Sequence, residues 1–231
     1  VVMWQLSESV DGMAEASRAL EVPVIGGNVS LYNESDGVDI DPSPVVGTVG
    51  LVESLERRPP GIALVDGCTL LLVGEPATTL SGSAWAWRRG HHRGTPPQVD
   101  LASHRRTAEV VRSLVAGGLL ASVHDIADGV GPALAEMVAA GGVGAEVGLP
   151  SPGGHVALFG ETPTAVLAAV RPDQVEPVRS AAADAGVAVH ELGRSGGDHL
   201  RIADLVDLPV ASVVDRWRRT IPDALGGGTV H

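Results

Sequence analysis

Apolar and polar positions alternate with two periods along the chain. Val10, Met13, Ser17 and Leu20 fall near one helical face, and Ser7, Glu8 and Asp11 suit a capped N-terminal end, so residues 7–20 are predicted helical. A short apolar strand, Val22 to Ile25, follows and runs into Gly26-Gly27. Residues 28–44 are polar and turn-rich, with Asn33, Asp36-Gly37 and Asp39. Val45 to Val52 reads as a β-branched strand interrupted by Gly47 and Gly50. The charged, aperiodic stretch 53–66, with Arg57-Arg58-Pro59-Pro60, is the linker candidate.

A second unit is expected to begin near Gly67. Thr69 to Gly74 reads as a buried strand, and 81–97 as a glycine- and arginine-rich loop carrying Trp85 and Trp87. Alternation predicts one of these two indoles in a core and the other at the surface. Helical spacing recurs over 102–116, 132–140, 172–185 and 209–219. Strands are predicted at 143–149, 165–170, 187–192 and 199–202, with His124-Asp125 at the end of another. Helices and strands alternate throughout, which gives an α/β class with α+β layers and argues against a bundle or a sandwich. No internal repeat stands out.

Charge and composition narrow the chemistry. The chain has 16 basic and 28 acidic residues and a net charge of −12, and every basic side chain apart from histidine is arginine. Without lysine there is no G-x-x-x-x-G-K-[ST] phosphate loop and no Schiff-base chemistry. The acidic balance disfavours nucleic acid or an anionic membrane as partner. No apolar run reaches the roughly 18 residues of a membrane helix, and nothing near Val1 resembles a signal peptide. The single cysteine, Cys68, cannot form an internal disulfide, which fits a reducing cytoplasm; it reads as a buried small hydrophobe. The start at Val1 rather than Met reads as a processed start or as a cut into a longer gene product.

The sharpest string is Pro23-Val24-Ile25-Gly26-Gly27-Asn28-Val29-Ser30-Leu31-Tyr32-Asn33-Glu34. A strand delivered into paired glycines lets the backbone adopt positive φ and approach a ligand closely, with successive N–H groups forming an anion nest. Asn28 offers a neutral oxygen to Mg²⁺ and Ser30 a hydroxyl to phosphate. The same string also reads as a tight turn in which Asn and Ser cap their own backbone. His124-Asp125-Ile126-Ala127-Asp128-Gly129 has two readings as well: a metal or acid–base cluster joining His124 and Asp128, or a turn in which Asp125 or Asp128 caps the next helix. Arg88, Arg89, His91, His92 and Arg93 form a local basic patch that suits an anion or a solvated loop. Glu161, after Phe159-Gly160, reads as structural or as a binding group.

Several of these strings occur together, in order, in one family. Gly-Gly-Asn-Val-Ser-Leu-Tyr-Asn-Glu (26–34), Pro42 to Leu51, the helix around Met3 to Leu20, Ser81-Gly82-Ser83-x-Trp85, Pro97-x-Val99-Asp100-Leu101, His124-Asp125 and Ala157 to Glu161 resemble the synthetase subunit of phosphoribosylformylglycinamidine synthase, within the aminoimidazole ribonucleotide synthetase superfamily. The resemblance covers nearly the whole chain. It implies that residues 1–55 end the second N-terminal-type domain, 56–66 link, and 67–231 form the second C-terminal-type domain. It implies a cytoplasmic ligase of purine biosynthesis that amidates formylglycinamide ribonucleotide with ATP, Mg²⁺ and glutamine-derived ammonia. The oxygen displaced would first be phosphorylated to an iminophosphate. Partners implied are a first synthetase copy, a glutaminase subunit and a small accessory subunit. Carried over by position, Gly27 contacts ATP, Asn28 binds Mg²⁺ and Ser30 contacts the ribonucleotide. No catalytic residue is carried over, because the family's catalytic histidines and ATP-contacting lysine belong to the first copy. The chain alone is then expected to be inactive. The alternative is a non-catalytic half that binds a nucleotide or simply stabilises the assembly.

Overall fold

The computed structural model describes residues 2–30, 34–40, 43–52, 59–151 and 153–226. The chain divides into two compact units, Val1–Glu56 and Arg57–His231.

The first unit begins with helix α1, Val2–Ala19. It starts five residues before the expected Ser7, because Met3, Trp4, Gln5 and Leu6 include no breaker and the turn simply propagates upstream. Its end is closed by Glu21 in the left-handed region (φ 56°), with the Val22 N–H donating to the Ser17 carbonyl at 3.0 Å. Strands β1 (Glu34–Ser35) and β2 (Val38–Asp39) form an antiparallel hairpin across Asp36-Gly37, both at positive φ. The two strands expected at Val22–Ile25 and Val45–Val52 are not formed. Residues 22–30 and 43–52 run without regular structure, exposed throughout, and pair with no strand among the described residues. An apolar run becomes a strand only where a neighbour takes its N–H and C=O groups.

The second unit is built on one sheet. Its strands are β3 (Thr69–Val73), β4 (Ser122–Asp125), β5 (Ala145–Val147), β6 (Val166–Val170), β7 (Val189–Ser195), β8 (His199–Ile202) and β9 (Val206–Pro209). Their order is β4-β6-β3-β7-β5-β8-β9, antiparallel at every pairing except β5–β8, which is parallel. The helices are α2 (Ala84–Arg88), α3 (Leu101–Gly117), α4 (Val130–Gly141), α5 (Gly154–Phe159), α6 (Val175–Asp184) and α7 (Val210–Ala224). Helices α2 and α5 and strand β9 had no distinct signal in the sequence pattern, and of the first unit's hairpin only the Asp36-Gly37 turn did.

Strand β3 shows why the layers form. All five of its residues are buried, so it is covered on both faces. Leu70 and Leu72 point into a core with Leu134, Met137 and Val138 of α4, Leu158 of α5 and Val210 of α7. Leu71 and Val73 point the other way, to Val110 and Leu114 of α3 and Val178 and Ala182 of α6. Strand β6 alternates in the same sense, Leu167 and Ala169 to the first core and Ala168 and Val170 to the second. The fold is therefore a mixed α/β arrangement of helix layers on both faces of a largely antiparallel sheet, as the α+β reading expected. Each buried leucine contributes about 1.5–3 kcal/mol of transfer free energy.

Of the expected linker, 53–58 lie outside the described residues. Within 59–66, Leu64 is buried and its N–H donates to the Met137 carbonyl at 3.0 Å. Ser195 closes this corner: its hydroxyl donates to Val65 O at 2.6 Å and accepts from the Cys68 N–H at 2.9 Å. Cys68 is buried beside it, and that burial pushes its thiol pKa up, as expected of an inert core cysteine.

Candidate functional site

The first candidate is Gly27-Asn28-x-Ser30. Gly26 and Gly27 are followed by an exposed, irregular segment, and neither glycine takes positive φ. A Cβ at either would meet nothing within 4 Å, so neither glycine is required by close packing within the chain. The side chains of Asn28 and Ser30 make no hydrogen bond among the described residues, which leaves both free to meet a ligand; Leu31, Tyr32 and Asn33 lie outside the described residues. Among the described residues neither side chain makes the self-capping hydrogen bond of the competing reading. As to Mg²⁺, the donor set offers one amide oxygen with an adjacent hydroxyl. Among the described residues no three His, Cys, Asp or Glu side chains gather where they could hold a metal ion. An amide oxygen is of the donor class that Mg²⁺ takes, alongside phosphate and water.

The second unit brings together motifs far apart in sequence. Ser83 caps α2: its hydroxyl accepts from the Ala86 N–H at 3.2 Å and donates to the Leu80 carbonyl at 2.7 Å. The Glu161 carboxylate accepts the Ala84 N–H at 2.6 Å, across 77 residues of chain. Trp85 lies near-parallel to Phe159, with ring centroids 6.1 Å apart, and 5.5 Å from the His155 ring. The Arg89 guanidinium lies over the Trp85 ring, 5.5 Å from its centroid. Trp87 is exposed, as expected of one of the two, while Trp85 is half-buried and belongs to neither core. Glu161 takes the structural reading: it holds the Ser81-Gly82-Ser83 turn to the end of α5.

The turn after β4 fits against the same helix end. Gly129 has φ +102°, and a Cβ there would lie 2.5 Å from the Leu158 carbonyl oxygen, so no other residue fits without moving backbone. Gly129, not Asp125 or Asp128, occupies the N-cap of α4, and no side chain caps that helix. The capping expectation for those aspartates is thereby corrected; with Gly129 pressed against α5, the chain enters α4 backbone-first. The pairing of His124 with Asp128 is corrected too. His124 Nε2 lies 2.7 Å from Glu136 Oε2 and Nδ1 lies 2.9 Å from Asp125 Oδ1. Both ring nitrogens thus face a carboxylate oxygen, one on its own strand and one on the next helix. Glu136 escaped the sequence reading because it sits in the apolar pattern of α4, 12 residues on; its place on the β4 side of that helix is the signal that was passed over. The cluster clamps β4 to α4. Asp128, exposed, takes no part in it.

Comparison with known proteins follows the same division. The AIR synthase related protein, N-terminal domain, matches residues 2–52, and the AIR synthase related protein, C-terminal domain, matches residues 65–204. A Nocardioides protein named phosphoribosylformylglycinamidine synthase subunit PurL is 39% identical over 227 residues, 97% of this chain and 30% of that protein. The Thermobifida fusca protein of the same name is 37% identical over 231 residues, again 97% of this chain and 30% of the relative. The chain thus spans about 30% of the length of the curated relatives it matches. Among solved structures, Thermotoga maritima PurL complexed with ATP has a TM-score of 0.57 at 17% identity, covering 69% of this chain and 28% of that one. The same protein complexed with FGAR gives 0.56 at 19%, covering 68% and 29%. At that identity these structures establish the fold. Among the described residues no helix is long and apolar enough to cross a membrane. With its C-terminal domain model matched over 65–204, more than half of its length, the chain belongs to the AIR synthase related protein family.

Proposed function

We propose that this chain supplies part of a cytoplasmic, ATP-dependent carbon–nitrogen ligase of purine biosynthesis. The reaction converts formylglycinamide ribonucleotide, ATP and glutamine-derived ammonia to formylglycinamidine ribonucleotide, ADP and phosphate. The observation that carries this reading is identity of 37–39% over 97% of the chain to relatives named for that synthase. Thermotoga maritima PurL, similar in fold, is solved with ATP and with FGAR, and as PurLQS. By that analogy the partners are a first synthetase copy, a glutaminase subunit and a small accessory subunit.

Within this reading residues 1–55 end an N-terminal-type domain, 56–66 link, and 67–231 form a C-terminal-type domain. Gly27 contacts ATP, Asn28 binds Mg²⁺ through its amide oxygen, and Ser30 contacts the ribonucleotide. Bound Mg²⁺ would supply neutralisation of phosphate charge there. These residues bind and orient; none of them moves a proton or attacks. Their exposure, with no internal partners, is compatible with a segment that meets ligand or another part of the assembly.

The test is a transplant. This chain replaces the matching 30% of the Nocardioides relative, and ammonia-dependent formation of the amidine is measured. The chimera should turn over, the 231-residue chain alone should not, and Asn28→Ala should lower chimera activity by about 10²-fold or more. Full turnover by the isolated chain would sink the reading. An active chimera indifferent to Asn28→Ala would favour the non-catalytic half instead.

A further inference from the structure

Residues 76–99 contain Trp85, Trp87, Arg88, Arg89, His91, His92 and Arg93 and not one aspartate or glutamate, in a chain with 28 acidic residues. The structure turns this compositional gap into a surface. Helix α2 closes with the Arg89 N–H on Trp85 O at 3.2 Å and the His91 N–H on Ala86 O at 2.9 Å. Gly90, at φ +76°, makes the turn between them. Residues 87–93 are all exposed, and Gly90, His91, His92 and Arg93 line a shallow depression. Trp87 is 64% exposed, with the His92 ring edge-on at 4.2 Å. The indole is thus propped outward rather than folded onto a core.

Four arginines elsewhere in the second unit are held by carboxylates. Arg105 pairs with Glu109, Arg179 with Glu191, Arg201 with Asp207, and Arg219 with Asp215 and Asp223. Among the described residues Arg88, Arg89 and Arg93 have no carboxylate within ion-pair reach. The two acids that border the gap in sequence are Glu75 and Asp100, and Asp100 is committed to the N-cap of α3. Glu161 is engaged at the opposite end of α2 by the Ala84 N–H.

We propose that residues 87–93 form a docking surface for an acidic polypeptide segment of a partner protein. The three guanidiniums take carboxylates, bidentate geometry suiting that pairing, and the Trp87 indole takes an apolar side chain. A polynucleotide fits less well. Its affinity grows with the number of phosphates neutralised, and three arginines neutralise few. A peptide with a few carboxylates around one apolar residue needs no larger basic footprint.

The probe is a fluorescein-labelled peptide of glutamates around a central leucine, titrated with the full chain at low ionic strength and read by anisotropy. Saturable binding is expected, weakening as salt is raised. R88E/R89E/R93E should lose about tenfold or more, and W87A several-fold. The control R106E/R112E/R194E makes the same change in net charge at exposed sites elsewhere and should lose less than about threefold. Circular dichroism checks that each variant is folded. Equal losses in the two triple variants would overturn the proposal, because the whole-chain field and not this patch would then bind. So would the absence of saturation, or tighter binding of an oligouridylate than of the peptide.

Discussion

Apolar stretches of similar composition end in opposite conditions in the two units. In the first unit Val24, Ile25, Val45 and Leu51 are 79%, 85%, 97% and 97% exposed. In the second, Leu70, Leu71, Leu72 and Val73 are 1% exposed or less. Sequence pattern alone predicts a strand in both places, and only the second is one. The difference is supply of neighbours. β3 has β6 on one side and β7 on the other, with a helix layer over each face. Residues 22–30 and 43–52 have no pairing strand among those described. Apolar composition states what a segment can bury; a sheet decides whether it does.

The largest break in that comparison should come from truncating the same kind of side chain in each stretch. Leu72→Ala leaves a cavity between β3 and α4 and should destabilise the second unit by about 2–5 kcal/mol in denaturant unfolding. Ile25→Ala removes a side chain already in water and should change stability by no more than ~0.5 kcal/mol. Comparable losses in the two variants would mean that the first-unit stretch is buried in solution, and the contrast would fail.

The parts legible in the sequence share a local cause. The Leu101–Gly117 helix carries its own start, Asp100, whose carboxylate accepts from the Ala102 and Ser103 N–H groups at 3.0 and 3.1 Å, and its own stop, the left-handed Gly118. The Asp36-Gly37 turn likewise needs only itself. What escaped was set at a distance. Whether Val45 to Val52 pairs depends on strands elsewhere. The partner of His124 is Glu136, on the next helix, and that of Glu161 is the Ala84 N–H, 77 residues upstream. The Gly27, Asn28 and Ser30 string was legible as a motif because its residue types are unusual in combination.

A smaller effect sharpens the local side of the contrast. Asp100→Ala removes the cap of a helix whose inner face is already packed through Val110 and Leu114, so about 1 kcal/mol should be lost, with the transition still cooperative. Asp100→Asn keeps an acceptor and should restore most of it. A loss equal to that of Leu72→Ala would show that the cap organises more than its own helix turn.

The smallest effect is electrostatic and lies at the outer edge of the same sheet. On β8 and β9, His199 Nδ1 lies 2.5 Å from Asp207 Oδ1, and Arg201 Nε lies 3.4 Å from Oδ2. The His199 hydrogen bond, helped by the Arg201 charge, holds the Asp207 carboxyl below its ordinary value. A carboxyl depressed in the folded state adds stability above its unfolded pKa, and that contribution is lost as pH falls through the folded value. The pair therefore supports the β8–β9 edge at neutral pH and releases it in acid. Because Asp207 is fully solvated, water and salt screen the interaction, and its effect on global unfolding should be the least of the three. The sharper readout is the Asp207 side-chain carbon by NMR. Its titration midpoint should rise toward that of an unpartnered aspartate in His199→Ala, and less so in Arg201→Ala, since the imidazole is the larger cause. A midpoint unmoved by His199→Ala would detach Asp207 from that ring and leave only the arginine to hold the edge.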